Sequence, residues 1–203
     1  FNPEKHVAKR IPPVGPPPQL NLLEYGEPVD LLKDGLDGWV LKEPGRKSCW
    51  VFHDGVLENT GTGANLLSKR RDFMDFKIVY DVRADKDCNS GVFLRGIYEL
   101  QVSDSFGKPV DSHNMGALYG RIAPSVAAEK PAGEWQHVEA ILCDRHITVT
   151  LNDVRIIDNR PIDGMTGSGI TGNEFVPGPI FLQGDHKGGA YRNMILHPIR
   201  GKQ

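Results

Sequence analysis

The apolar residues of this 203-residue chain recur mainly at every second position, in short runs separated by glycine, aspartate and asparagine. The clearest run lies in 73–84, where Phe76, Ile78, Tyr80 and Val82 alternate with mostly charged residues. A period of two is typical of a strand that buries one face. We therefore predict a strand over 73–84.

Several other short segments are rich in β-branched and aromatic residues and are bounded by turn-forming residues. The longest predicted strand covers 90–103, and Gly96 within it indicates a bulge or bend. The only expected helix is about one turn around Pro124 to Lys130, which Pro131 ends. The remaining predicted strands cover 49–52, 55–59, 64–68, 116–120, 135–143, 146–151, 153–158, 179–183 and 190–197.

This succession of strands without crossover helices predicts an all-β fold, a two-sheet antiparallel jelly-roll sandwich. The 23 glycines and 15 prolines agree with frequent turns and few long helices. Prolines concentrate in residues 1–28, which contain few large apolar side chains. That composition favours extended polyproline II structure. We predict an extended arm or tether over 1–28 and a single β-sandwich domain over 29–203.

Composition and motifs exclude several classes of function. The net charge of -2 and the pI near 6.4 give no basic excess for nucleic acid. No run of about 18 apolar residues predicts a transmembrane segment. The sequence lacks H-E-x-x-H, C-x-x-C, G-x-S-x-G and a glycine-rich phosphate loop. We expect no metal site and no cofactor.

The longest predicted strand has an unusually polar face. In one continuous strand Arg95, Glu99 and Gln101 share a parity, and large apolar residues occupy the opposite parity. Asn89 precedes these residues and Asp104 follows them. Two interpretations are open: a solvated face on which Arg95 pairs with Glu99, or a face that binds a polar ligand.

A second polar cluster follows the strand predicted over 179–183. It contains Gln183, Asp185 and His186, and Arg192 comes a few residues later. A histidine beside an aspartate can act as a general base near neutral pH. His186 can equally be an ordinary loop histidine, and His113 is open to the same two interpretations.

Several motifs occur in an order that resembles one known family, the 3-keto-disaccharide hydrolase domain family, which is built on a concanavalin A-like sandwich. The matching segments are LLKDGLDGW (31–39), W-x-x-x-D-G-V-L (50–57), NSGVFLRGIYELQVSD (89–104), GALYG (116–120), KPAGEWQ (130–136), ITVTLNDVRIID (147–158) and GPIFLQGDHKGGAYRNMIL (178–196). The resemblance covers nearly everything outside the proline-rich arm.

The resemblance implies a glycoside-cleaving enzyme that acts on 3-keto-glycosides or 3-keto-disaccharides. A ketone at C3 acidifies the C2 hydrogen, so that elimination across C1–C2 followed by hydration breaks the glycosidic bond. This route needs a base, a group that stabilises the enolate and an acid for the leaving group. We expect Glu99 or His186 as the base and Arg95 or Arg192 at the enolate. The expected substrate-binding residues are Asn89, Gln101, Asp104, Tyr119, Gln183, Asp185 and Arg192.

Three alternatives remain open at this point. A lectin-like module would use the same face for carbohydrate binding without turnover, since one fold hosts many functions. A retaining glycosidase of the laminarinase type would use the motif E-x-Q-x-x-D, in which the central acid of that family's strand is missing. A domain that only docks to a partner is the third. We expect a periplasmic or extracellular location, with the N-terminal arm as a candidate surface tether.

Overall fold

The structure, a computed structural model, describes residues 12–202. These residues form two antiparallel sheets and two short 3-10 helices, Leu20–Leu22 and Gly35–Gly38. No helix within them is long and apolar enough to cross a membrane. The nine strands of the larger sheet are β1 (Leu23–Tyr25), β2 (Val29–Asp30), β4 (Trp50–His53), β5 (Val56–Asn59), β7 (Phe76–Ala84), β10 (Trp135–Cys143), β11 (His146–Leu151), β12 (Val154–Pro161) and β14 (Gly189–Lys202). The five strands of the smaller sheet are β3 (Trp39–Leu41), β6 (Leu66–Ser68), β8 (Asn89–Leu94), β9 (Tyr98–Ser103) and β13 (Phe181–Leu182).

The core lies between the two sheets and follows the period of two. In β7 the side chains of Phe76, Ile78, Tyr80 and Val82 are buried, and the residues between them are half-buried on the outer face. The inward residues of β9, such as Leu100, meet them from the other sheet. The order of the smaller sheet is β3-β6-β13-β8-β9, which leaves β9 at an edge. The prediction of an all-β, two-sheet antiparallel sandwich is confirmed.

The predicted long strand over 90–103 is wrong, because the chain reverses in its middle. Strands β8 and β9 form a hairpin with Arg95, Gly96 and Ile97 as its loop. Arg95 has φ 54° and Gly96 has φ 68°. Two successive residues in the left-handed region turn a chain sharply instead of bending a strand. Gly96 therefore marks a hairpin loop, and Phe93 pairs with Glu99 across it.

Two smaller predictions are also corrected. Residues 116–120 form no strand: Leu118 makes two isolated β-bridges, with Leu100 and with Ile122, and Gly116 N and Tyr119 N donate to carbonyl groups of β9. Residues 124–130 form no helix. Ala128 N donates to the side chain of Glu129, and Ala128 O accepts from Asn152 Nδ2. Side chains thus satisfy backbone groups that a helix would pair internally.

The described part of the proline-rich segment lies against the larger sheet. Pro12 O accepts from Arg145 Nη1 at 2.8 Å, and Pro18 O accepts from Asn159 Nδ2 at 2.9 Å. Strand β1 pairs with β14. The boundary at residue 28 stays a prediction, and residues 1–11 of the predicted arm lie outside the described residues.

Candidate functional site

The candidate site lies on the outer face of the smaller sheet. Because β9 sends Tyr98, Leu100 and Val102 into the core, Glu99 and Gln101 point outward. Phe93 and Phe181 belong to the same outer face, and their rings stack with centroids 4.2 Å apart. Gln183, which follows the inward Leu182, completes this surface. We call the surface formed by Phe93, Glu99, Gln101, Phe181 and Gln183 the Glu99 face.

Glu99 is a buried carboxyl group without a donor. It is 4% exposed, and its side chain lies over Gly91, where any Cβ atom would overlap the carboxylate. Within residues 12–202 no group donates a hydrogen bond to this carboxyl. Burial and the negative charge of Asp185 together raise the pKa of Glu99 to about 8. Glu99 can therefore exchange a proton near neutral pH.

Gln101 presents an unused acceptor beside Glu99. Its Nε2 donates to Asn89 Oδ1 at 3.1 Å, which fixes the orientation of the amide. Its Oε1 is buried and has no hydrogen-bond partner among the described residues. An unpaired buried acceptor costs free energy in the absence of a ligand. The arrangement suits a ligand that supplies a hydroxyl or amide donor.

The loop after β13 holds an aspartate and a histidine beside this face. Asn65 Oδ1 accepts from Gly184 N at 2.7 Å and from Asp185 N at 3.3 Å. Asn65 Nδ2 donates to Glu43 Oε1 at 3.1 Å, so the buried amide clamps the loop. His186 Nδ1 lies 3.0 Å from Asp185 Oδ1. This contact orients the imidazole and leaves its Nε2 available.

Two cations near this face are absent from our sequence-based predictions. Lys42 Nζ lies 5.5 Å from the ring centroid of Phe181, and Arg46 Nη1 lies 3.9 Å from Asp185 Oδ2. Both follow β3, and only the sheet order brings that strand to the side of β6 and β13. No local pattern around residues 42–46 identifies them in the sequence.

The edge of the site next to β9 carries further predicted residues. Tyr119 N donates to Glu99 O at 3.0 Å, and the Tyr119 ring meets the His113 ring edge-to-face with centroids 5.0 Å apart. Asp104 Oδ2 accepts from Asp87 N at 3.0 Å at the rim. The structure thus brings together seven of the predicted site residues, Asn89, Glu99, Gln101, Tyr119, Gln183, Asp185 and His186, and places Asp104 at the rim, beyond the end of β9 that is far from Glu99.

Arg95, which we expected at the enolate, does not join them, and the alternative interpretation in which it pairs with Glu99 is wrong as well. The hairpin loop turns the guanidinium away, and Nη2 donates to Tyr98 OH at 3.2 Å and to Glu174 O at 2.9 Å. Tyr98 belongs to the core side of β9. Arg95 and Glu99 would share a face only in one continuous strand, and the chain reverses between them.

Arg192 also lies away from the site, on the outer face of the larger sheet. Its Nε donates to Asp81 Oδ2 at 3.1 Å, and its guanidinium lies 4.1 Å from the ring centroid of Trp135. The outer faces of the two sheets are on opposite sides of the sandwich. A ligand at Glu99 is therefore out of reach of Arg192.

Comparison with solved structures supports the fold. Two similar chains from Parabacteroides distasonis carry the name putative glycosyl hydrolase. One is 18% identical with a TM-score of 0.68, covering 84% of this chain and 94% of that chain. The other is 24% identical with a TM-score of 0.63, covering 93% and 94%. The carbohydrate binding module CBM66 from Bacillus subtilis is 15% identical with a TM-score of 0.52, covering 77% and 93%. No curated protein matches the chain in sequence.

A family model matches most of the chain. The match covers residues 28–197, and the family is described as the 3-keto-alpha-glucoside-1,2-lyase-like domain. This range includes every residue named above on the Glu99 face, in the loop after β13 and at the rim. The chain belongs to the family of 3-keto-alpha-glucoside-1,2-lyase-like domains.

Proposed function

We propose that this domain cleaves 3-keto-glycosides by eliminating the C1 substituent across C1–C2, after which water adds to the unsaturated ketone. The observation that carries the proposal is Glu99, a buried carboxyl that receives no hydrogen bond from residues 12–202 and whose pKa is raised to about 8. Perturbed carboxyl groups of this kind are typical of proton-transfer sites. The family match supports the choice of a 3-keto-glycoside as substrate.

Glu99 is the proposed base at C2. The C3 ketone makes the C2 hydrogen acidic enough for removal by a carboxylate. A raised pKa makes the ionised form a stronger base than an ordinary carboxylate, and a pKa near the working pH is the most effective for proton transfer. His186, oriented by Asp185, is the second candidate for the same role.

Other residues near the Glu99 face are suited to stabilising the enolate and to binding the substrate. The enolate oxygen needs a donor or a cation, and Lys42 and Arg46 are the cations placed near the Glu99 face. Gln101 Oε1 suits a sugar hydroxyl as donor, and Asn89 holds it in place. Arg95 and Arg192 have no part in this proposal.

A carbohydrate-binding role without turnover is the second candidate. It is favoured by the structural likeness to a carbohydrate binding module and by the unpaired acceptor of Gln101. A laminarinase-type mechanism is disfavoured, since it needs two carboxyl groups about 5 to 5.5 Å apart. Glu99 and Asp104 are five residues apart along an extended segment, about 17 Å at 3.4 Å per residue.

Deuterium exchange distinguishes these candidates. The wild-type protein is incubated in D₂O with methyl 3-keto-α-glucoside and followed by NMR and by ultraviolet absorbance. Elimination predicts deuterium at C2 of the released sugar and transient absorbance of an unsaturated ketone. Cleavage with C2–H retained would contradict elimination. Saturable binding by calorimetry without any cleavage would establish the binding module instead.

A further inference from the structure

A cavity of about 570 Å³ opens beside the Glu99 face, between the ends of β8 and β9 and the loop 104–114. Gln101 belongs to both the cavity and the Glu99 face, so the two are continuous. The residues that line it include the polar side chains of Asn89, Gln101, Asp104, Lys108, Asp111 and His113. The roles assigned so far use only Asn89 and Gln101 of these residues.

His113 is held firmly at this cavity. Its backbone N donates to Asp111 Oδ1 at 2.6 Å, and its Nδ1 lies 3.3 Å from the same oxygen. Its carbonyl oxygen accepts from Ser103 Oγ at 3.1 Å. Its ring packs edge-to-face on Tyr119. Asp111 thus occupies the Nδ1 side of the imidazole, and Nε2 is the nitrogen left for a ligand.

The contacts of Tyr119 connect this histidine to the proposed base. Tyr119 N donates to Glu99 O, so Tyr119 is the neighbour of Glu99 across the open edge of β9. His113 therefore approaches the Glu99 face from the β9 edge. His186 follows β13, which lies on the far side of β8 from β9. The two histidines flank the face from different sides.

We propose that this cavity receives the leaving group and that His113 is the acid that protonates the departing oxygen. The inference rests on the proposed function. Imidazole is the group most often used for proton transfer near neutral pH, and a carboxylate at Nδ1 orients it for that role.

The proposed elimination removes one proton from C2 and delivers one proton to the leaving oxygen. Glu99 takes the C2 proton, and the C2–H electron pair passes into the enolate of the C3 ketone. The enolate re-forms the C3 carbonyl as C1=C2 forms and the C1–O bond breaks. The electron pair of that bond goes to the leaving oxygen, which takes a proton from His113 imidazolium to give an alcohol. Glu99 ends protonated and His113 neutral, and solvent returns the proton.

Leaving-group dependence tests this role. His113→Gln is assayed on methyl 3-keto-α-glucoside and on its 4-nitrophenyl analogue. An alkoxide needs protonation to depart, whereas a nitrophenolate does not. We expect a loss of ~10²-fold or more on the methyl substrate and less than about 5-fold on the nitrophenyl substrate. Asp111→Asn should also slow cleavage of the methyl substrate more than cleavage of the nitrophenyl substrate, with a smaller loss of rate than His113→Gln.

The control is His53→Gln, which changes an exposed histidine on β4 of the larger sheet and should leave both rates unchanged. Equal losses on the two substrates, or no loss on either, would overturn the role of His113 and leave the proposed function standing. Failure of the wild-type protein to cleave both substrates would instead overturn the proposed function, and this inference with it.

Discussion

Two carboxyl groups on opposite faces of the sandwich have opposite surroundings. On the larger sheet Asp81 accepts from Arg192 Nε and Asn193 Nδ2 and contacts His137 Nδ1, at 3.1, 2.9 and 2.8 Å. These contacts lower the pKa of Asp81 in spite of partial burial. Glu99 on the smaller sheet is more deeply buried and has no donor within the described residues, and its pKa is raised to about 8.

This difference distinguishes a carboxylate with a structural role from a carboxyl group at a functional site. A partly buried carboxylate with three partners is satisfied by the protein itself and contributes to stability. A buried carboxyl without hydrogen-bond partners lowers stability. Such groups are found mainly at functional sites, where a bound ligand or a proton satisfies the carboxyl oxygens. Gln101, whose buried Oε1 has no partner in the part of the chain that the structure describes, fits the second class.

The largest expected effect is on turnover. Glu99→Gln keeps the shape of the side chain and removes the group that accepts the proton. We expect kcat on a 3-keto-glucoside to fall by ~10²- to 10⁴-fold. The matched change Asp81→Asn should keep kcat within about 2-fold. A Glu99→Gln variant that keeps a tenth of the wild-type rate would shift the role of base to His186.

The same substitution should raise stability at alkaline pH. The folded pKa of Glu99, about 8, lies above its ordinary value of 4.5, so the folded state holds more protons between these values. The free energy of unfolding then decreases as pH rises from about 4.5 to 8. At about 1.4 kcal/mol per pH unit, we expect the stability advantage of Glu99→Gln over wild type to be about 4 kcal/mol larger at pH 8.5 than at pH 5.

Urea denaturation at the two pH values measures this difference. If Glu99→Gln were more stable than wild type by the same amount at both pH values, Glu99 would not be protonated in the folded protein at neutral pH.

Asp81→Asn should change the free energy of unfolding in the opposite direction, that is, it should lower stability. The folded pKa of Asp81 is lowered, so its contribution is present above the unfolded pKa and is lost as pH falls through the folded pKa. We expect Asp81→Asn to lower the free energy of unfolding by about 2 kcal/mol at pH 7. This difference from wild type should become smaller toward acid pH. Thermal unfolding across pH 2 to 7 follows it, and a constant loss would argue against the charge as its cause.

A smaller effect is expected at Asp185, whose negative charge is one cause of the raised pKa of Glu99. Asp185→Asn should move the Glu99 titration to lower pH. Carboxyl ¹³C NMR reads that titration without reference to activity. An unchanged midpoint would leave burial as the only cause, and Arg46→Gln, which removes a cation near Asp185, provides a contrasting variant.

The smallest effect is expected at Asn89, which orients Gln101 through Nε2. Asn89→Ala should raise KM by about 10-fold with little change in kcat, because a hydroxyl contact is lost while the base remains. Initial rates over a range of substrate concentrations separate the two constants. A fall in kcat alone would place this pair in the chemical step.

Local sequence pattern was sufficient for the fold class and for part of the site. Alternation is a property of a single strand, so it identified the buried face of β7 without knowledge of any partner. For the same reason it placed Glu99 and Gln101 on one face, since both lie within β9. Those two conclusions needed no tertiary information.

The remainder depended on where strands begin, end and pair. Arg95 left the predicted face because two residues with positive φ reversed the chain there. Arg192 went to the opposite face because β14 pairs with β7. Strand order also brought Lys42 and the Asn65 clamp to the Glu99 face. Strand pairing depends on which strands bury apolar surface together. The alternation of residues within one strand does not identify its partner strand.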